Sequence, residues 1–219
     1  MNIFRFAGDM CHVASIFILL LRLRATKSAA GISLKTQELF LLVFIARYVD
    51  LFTTYYSLYN SLMKILYIST TSMTVWMMRT QDPIKSTYQP EHDSFLHLQF
   101  AVLPCAALAF ITCLWQGFSL QVLLLDFSFY LEAVAIVPQL IVLQRFREIE
   151  NLTSHYIATL GAYRGLYILN WIYRFYTEAG YTQGWVKAFA GVVQTGLYVD
   201  YFYYYYVAFR DGSKLSLPA

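Results

Sequence analysis

Seven apolar stretches separated by short polar connections run the length of the chain: residues 3–21, 38–56, 62–78, 95–115, 120–143, 154–176 and 185–209. Each approaches the roughly 20 residues that carry an α-helix across a hydrocarbon core. The pattern predicts an all-α protein with seven transmembrane helices. The third stretch is the most polar, with Ser69, Thr70, Thr71, Ser72 and Thr74, and Pro104 predicts a kink in the fourth. The connections are too short to fold as separate domains. Ser28-Ala29-Ala30-Gly31 resembles a cleavage site, but Arg22, Arg24 and Lys27 lie between it and the first apolar run. Signal peptides carry their positive charge ahead of that run, so the first stretch is expected to stay as a helix.

Composition agrees with lipid as the solvent. The 219 residues are 58% hydrophobic and 13% charged, with mean hydropathy +0.49; a soluble domain carries about 25% charged residues. The 19 tyrosines and 17 phenylalanines suit an extensive membrane–water interface. A net charge of +3 without a basic cluster excludes nucleic acid as the expected partner. Cys11, Cys105 and Cys113 sit in apolar runs without disulfide or zinc spacing, and no cofactor is expected.

The larger share of the lysines and arginines falls in alternate connections: Arg22, Arg24, Lys27 and Lys35, then Arg79 and Lys85, then Arg145 and Arg147, then Arg210 and Lys214. The opposite connections hold little beyond Lys64 and Lys187. The positive-inside rule places the C-terminus in the cytosol and the N-terminus in the lumen or outside. The Asn151-Leu152-Thr153 sequon then faces the cytosol and stays unmodified.

The informative residues are the charges that the spans retain. These are Arg5, Asp9 and His12, Arg47 and Asp50, Asp126 and Glu132, Arg164 and Arg174, and Asp200. One Arg or Asp at a helix centre costs about 2.5–3.5 kcal/mol on insertion scales, so such residues should face a bundle interior or a wet cavity. Arg47, Glu132 and Arg164 are expected near mid-helix. Asp126 and Arg5, near span ends, can reach interfacial water. Arg5, Asp9 and His12 share a helix face, as do Arg47 and Asp50. Tyr163, Tyr167, Asn170 and Arg174 form a stripe at steps of four, three and four, with Arg164 and Trp171 beside it. Two readings stay open: internal ion pairs, or a ligand site built from the donors. His12 is either a hydrogen-bonded interior residue or a pH sensor, because imidazole changes charge between about pH 5 and 8.

Several stretches together resemble the KDEL receptors, the ER lumen protein-retaining receptors. They are Met1-Asn2-Ile3-Phe4-Arg5, Ala30-Gly31-Ile32-Ser33 and Ala46-Arg47-Tyr48-Val49-Asp50-Leu51-Phe52. They continue with Tyr130-Leu131-Glu132-Ala133-Val134-Ala135-Ile136-Val137-Pro138-Gln139-Leu140, Tyr163-Arg164 and Asn170-Trp171-Ile172-Tyr173-Arg174. Near the C-terminus come Ala190-Gly191-Val192-Val193-Gln194-Thr195 and Lys214-Leu215-Ser216-Leu217-Pro218-Ala219. The resemblance implies a SWEET-like or PQ-loop-like fold with Pro138-Gln139 as its signature. Residues 1–79 and 117–209 would form three-helix bundles, 80–116 a cytosolic loop and linking helix four, and 210–219 a cytosolic tail.

The resemblance also implies a receptor of Golgi and endoplasmic reticulum that binds C-terminal KDEL- or HDEL-type signals in acid and releases them near neutrality. Arg47 with Tyr48 would hold the terminal carboxylate, which Arg matches with a bidentate fork. Arg5 and Arg174 would meet the acidic side chains, helped by Tyr167, Asn170 and Trp171, and Asp50 would face the basic residue. His12 would sense protons through a network with Glu132, Tyr163 and Arg164. Asp200 matches an acidic residue linked to retrieval, and Arg210 and Lys214 would recruit the retrograde COPI coat.

Two departures stand out. The family's glutamate and tryptophan of the fifth helix are Val122 and Leu125 here, which leaves Asp50 and Asp126 to discriminate the basic residue, so weaker discrimination is expected. The lysine-rich tail is thinned to Arg210, Asp211, Ser213 and Lys214. A small-solute transporter of the SWEET or PQ-loop kind is the competing reading. No nucleophile–base constellation suggests an enzyme.

Overall fold

The computed structural model describes residues 2–146 and 148–218. Met1, Arg147 and Ala219 lie outside the described residues; Met1 and Ala219 end two of the resembling stretches, and Arg147 is one of the residues used for orientation.

The described chain is helical: α1 Ile3–Thr26, α2 Leu34–Arg47, α3 Leu58–Thr80, α4 Leu103–Gln116, α5 Leu120–Val134, α6 Val137–Gln144, α7 Asn151–Thr177, α8 Trp185–Leu197 and α9 Val199–Arg210. A π-helical turn, Leu98–Val102, leads into α4, so helices account for all seven apolar stretches. Three helical runs, Ile3–Thr26, Leu98–Gln116 and Leu120–Gln144, are long and apolar enough to cross a membrane by length and composition alone. Apolar side chains such as Phe17, Leu21, Trp76, Ile111 and Leu114 stay exposed along the helices, which suits a lipid surround.

Breaks fall where backbone chemistry demands them. Pro104 lacks an N–H, and it sits in the first turn of α4 just after the π turn. The fifth stretch breaks between α5 and α6, ahead of Pro138. The seventh breaks at Tyr198, whose N–H bonds the Thr195 carbonyl at 3.1 Å. The second stretch stops sooner than its apolar pattern suggests. α2 ends at Arg47, and Val49–Phe52 continues as a 3-10 turn with Phe52 exposed. Arg47 therefore lies at a helix C-terminus rather than mid-helix, where its charge complements the unpaired carbonyls.

The chain divides into two compact units, residues 1–27 with 143–219, and residues 28–142. The expected partition into 1–79, 80–116 and 117–209 follows chain order, whereas the contacts group α1 with α7, α8 and α9. The reason is visible in α1. Gly8 lets the Tyr167 ring approach so closely that a Cβ there would lie 2.9 Å from it. Asp9 accepts a hydrogen bond from the Tyr167 hydroxyl, and Asn2 Nδ2 donates to Asn170 Oδ1 at 2.8 Å. At the other end of α1, buried Arg22 pairs with Glu150 at 2.9 Å. The tail returns onto the connection before α7: Ile149 N–H bonds the Leu215 carbonyl at 2.9 Å. The sequon occupies the first turn of α7, with Thr153 buried.

In the unit of residues 28–142, Gln139 fastens the start of α2. Its Oε1 accepts from Ser33 N at 2.9 Å, its Nε2 donates to the Gly31 carbonyl at 2.8 Å, and its own N–H bonds Thr36 Oγ1 at 3.0 Å. The Pro138-Gln139 pair thus breaks the helix and then satisfies a turn 103 to 108 residues away in sequence, as expected of buried backbone groups. Buried Asp93 accepts from Ser33 Oγ and Tyr88 OH, each at 2.8 Å, and from Lys35 N at 3.2 Å. Burial, then the hydrogen bond to Asp93, push the Tyr88 phenol above its ordinary range, so it remains a donor at physiological pH.

Candidate functional site

The candidate residues fall into two sets, one in each unit. In the first, α1 and α7 line a cavity of about 400 Å³ with Asn2, Arg5, Asn170, Tyr173, Arg174, Thr177 and Glu178. Asn2 caps α1 by accepting from Arg5 N at 2.9 Å, which fixes the helix start beside the cavity. Arg174, in the last turn of α7, pairs with Glu178 at 2.6 Å and lies 4.1 Å over the Tyr181 ring. Buried Trp171 is not among the lining residues and packs instead against α8: a Cβ on Gly191 would come within 2.6 Å of its ring, so only glycine fits there.

Deeper in the same unit, His12 is buried and stacks on Tyr163 at 4.1 Å with an interplanar angle of 6°. The Tyr163 hydroxyl accepts from Arg164 Nη2 at 3.3 Å and from Gln194 Nε2 at 3.2 Å. Arg164 does fall at mid-helix, and it is buried. The expected gathering of His12, Tyr163 and Arg164 is present in this unit. Glu132 belongs to the other unit, where it pairs with Arg47.

In the unit of residues 28–142, a second cavity of about 390 Å³ is lined by Arg47, Asp50, Thr53 and Tyr56 on one side and by Leu120, Gln121, Leu124 and Leu125 on the other. Arg47 contacts Glu132 at 2.7 Å, donates to Ser128 Oγ and Ser128 O at 3.1 Å each, and lies 4.8 Å over the Phe129 ring. Tyr48 stacks on Phe44 at 5.8 Å. Asp50 pairs with Lys64 at 2.8 Å. Asp126 is a correction: it neither reaches interfacial water nor lines this cavity. It is buried, accepting from Thr112 Oγ1 at 2.8 Å and Gln116 Nε2 at 2.7 Å of α4.

The remaining candidates lie apart. Asp200 is exposed in the first turn of α9, where a carboxylate complements the helix N-terminus. Arg210 pairs with Asp211 at 2.8 Å and Lys214 with Glu148 at 2.6 Å. The hydrogen bond to Glu148 holds the Lys214 ammonium above its ordinary range, and Arg210 holds the Asp211 carboxyl below its own.

Sequence reasoning missed the counter-charges. Lys64 reads as a stray basic residue in a lumenal connection, but it lies inside α3 against Asp50. Glu178 had a legible signal, since it follows Arg174 by four residues at a helix end. Gln194, Ser128 and Phe129 carried none.

The sequence model of the ER lumen protein retaining receptor family matches residues 28–174. The chain is 55% identical to ER lumen protein-retaining receptor A of Arabidopsis thaliana, over all of both chains. It is 51% identical to the ER lumen protein-retaining receptor of Drosophila melanogaster and 48% identical to ER lumen protein-retaining receptor 2 of Bos taurus, again over the whole of each. A full-length likeness of this kind, on an all-helical chain with arginines beside its cavities, decides the matter: this chain belongs to the ER lumen protein-retaining receptor family of multi-pass membrane proteins.

Proposed function

We propose that the chain is a receptor for the C-terminal Lys/His-Asp-Glu-Leu signal of ER residents, binding it in the acidic Golgi and releasing it in the ER. The observation that carries this reading is the cavity of α1 and α7. Two arginines and two asparagines face it, with Glu178 as the one acid among its lining residues, and such a donor set suits carboxylates. Arg5 and Arg174 take the acidic side chains, with Tyr167, Asn170 and Trp171 shaping the wall. Arg47, beside Tyr48, takes the terminal carboxylate in exchange for Glu132, and Asp50 meets the residue fourth from the end. The reading includes a lumenal N-terminus, the two three-helix bundles as its repeat, lipid around the helices, Asp200 in retrieval, and COPI recruitment by Arg210 and Lys214.

The test is binding of a peptide ending in Lys-Asp-Glu-Leu to the purified protein at mildly acidic and neutral pH, with a C-terminally amidated control. Binding that is tighter in acid and lost on amidation is expected. No binding at either pH overturns the reading.

Glu178 makes a separate prediction. The hydrogen bond from Arg174 holds its carboxyl below the ordinary range. A depressed carboxyl contributes its pairing above the ordinary range of about 4.3 and loses it only as pH falls through the lowered value. The pair is therefore intact in both compartments, and the ligand must displace Glu178 at either pH. Glu178→Gln should raise peptide affinity roughly twofold to fivefold, the scale of an exposed pair. The increase should be equal in acid and at neutrality, as measured by calorimetric titration. A gain confined to one pH would contradict this account.

A further inference from the structure

One buried polar atom beside the His12 cluster has no task in the receptor reading. Gln194, on α8, is fully buried. Its Nε2 donates to the Tyr163 hydroxyl at 3.2 Å, while its Oε1 is buried and accepts no hydrogen bond among the described residues. Gly191, three residues earlier and so on the same helix face, lets α8 close onto α7. A Cβ there would lie 2.6 Å from the Trp171 ring and 3.9 Å from Arg164 Cδ. The Tyr163 hydroxyl also accepts from Arg164 Nη2 at 3.3 Å. A phenol oxygen offers two acceptor sites and one hydrogen to give. Both acceptor sites of Tyr163 thus serve N–H donors, while an amide oxygen next to it goes unserved. His12 lies flat on the same ring at 4.1 Å. The other titratable or charged groups around these rings are Asp9 on α1 and Arg164 and Tyr167 on α7. Tyr167 meets the Tyr163 ring edge-on at 6.2 Å and donates to Asp9. The charged residue of α8 is Lys187, 5.5 Å from the Trp171 ring centre.

We infer that Gln194 is a positioning residue of the proton-sensing network: its side-chain amide turns over when His12 gains a proton, and its oxygen then accepts from the Tyr163 hydroxyl. The inference rests on the receptor reading above and deepens it. A positive charge stacked on the phenol is held by the ring's π face and draws electron density away from the hydroxyl. The oxygen then accepts less well, and the hydrogen is given more readily. The amide as it stands fits the first condition, with its N–H on the phenol oxygen. The amide turned over fits the second, and it supplies the donor that the buried Oε1 lacks. One side chain can therefore satisfy either state of Tyr163 without moving α8, whereas a group that only donates or only accepts favours one of them. On the receptor reading the protonated network accompanies the bound signal, so any group that favours that network tightens binding by the same factor.

The experiment measures binding of a peptide ending in Lys-Asp-Glu-Leu to the full-length purified protein in mild acid and at neutrality, with thermal stability in detergent alongside. Gln194→Met keeps the shape but neither donates nor accepts. It should retain the fold and reduce the acid-to-neutral affinity ratio about threefold to tenfold, the scale of one net hydrogen bond. Gln194→Glu, as a carboxylate, only accepts, and should raise affinity at neutrality towards the acid value. A carboxylate also attracts a proton to His12, so the deciding variant carries His12→Phe as well. There Gln194→Glu should still tighten binding about threefold to tenfold over His12→Phe alone, at both pH values. A purely structural Gln194 would lower stability and leave the ratio unchanged, and that result in Gln194→Met overturns the inference. Equal affinity of His12→Phe with and without Gln194→Glu overturns it too. A wild type that binds equally at both pH values overturns it while leaving peptide recognition intact. Failure of the wild type to bind at either pH removes the receptor reading, and this inference with it.

Discussion

Arg47→Ala should abolish peptide binding and weaken the fold at once, and a second substitution separates the two losses. Arg47 ends α2 with 17% of its side chain exposed, and its guanidinium lies 2.7 Å from the buried carboxylate of Glu132. Removing one member of a buried pair costs about 3–5 kcal/mol, because the remaining charge has lost its compensation. A drop in thermal stability in detergent is therefore expected, and by itself it says nothing about the ligand. Arg47→Ala with Glu132→Gln removes the carboxylate's charge as well and should recover most of the stability. Binding should stay at least about 100-fold weaker than in the wild type, since the fork proposed for the terminal carboxylate is gone. Arg47→Lys keeps the charge but not the paired donors, and belongs between the two. A double variant that binds like the wild type would place the carboxylate elsewhere.

The same pair marks what the sequence could and could not tell. Hydropathy located every span because lipid imposes one rule along the whole chain, and the charged residues stood out against it. Where the rule weakens, the ends drifted. Ser33 caps α2 by accepting from Thr36 N, so the helix begins at Leu34, ahead of the apolar run. It stops at Arg47 while the run continues to Tyr56. The partners of the charges were not legible, since Arg47 and Glu132 come from different helices. Nor was the grouping of α1 with α7, which depends on a glycine opposite Tyr167 and on the Asn2–Asn170 bond. Asp126 misled for a geometric reason. It follows Leu125 directly, and one residue along a helix turns the side chain by about 100°, enough to move it from the cavity to the α4 face. The receptor assignment and the individual roles proposed for the site both came from whole-chain resemblance, and the chemistry of the lining residues suits those roles.

His12→Phe should erase the pH dependence of binding while leaving the fold nearly intact. The imidazole is buried and lies flat on Tyr163 at 4.1 Å, a contact that a phenyl ring can keep at small cost in volume. What phenylalanine cannot do is carry a proton. The groups around this position are Asp9 one turn earlier on α1, Tyr163, Arg164 and Tyr167 on α7, and Gln194 on α8, with Gln194 and Arg164 both donating to the Tyr163 hydroxyl. An imidazolium here would place a positive charge beside the Asp9 turn and beneath the phenol that accepts from Arg164, and on the proposed receptor reading that is the form that favours the bound ligand. Under that proposal binding should be strongest while His12 carries its proton and should weaken once the proton is lost, the sign needed for loading in acid and release near neutrality. A single proton coupled to binding can change affinity by at most about tenfold per pH unit. The wild type should show a ratio of that order between mild acid and neutrality, and His12→Phe a ratio near one, with its affinity held near the weaker, proton-free level at both. The Glu178→Gln variant supplies the contrast, because its pairing does not titrate in this window and its ratio should match the wild type. If His12→Phe keeps the full ratio, the proton resides on another group, and the network around Tyr163 is a packing arrangement rather than a sensor.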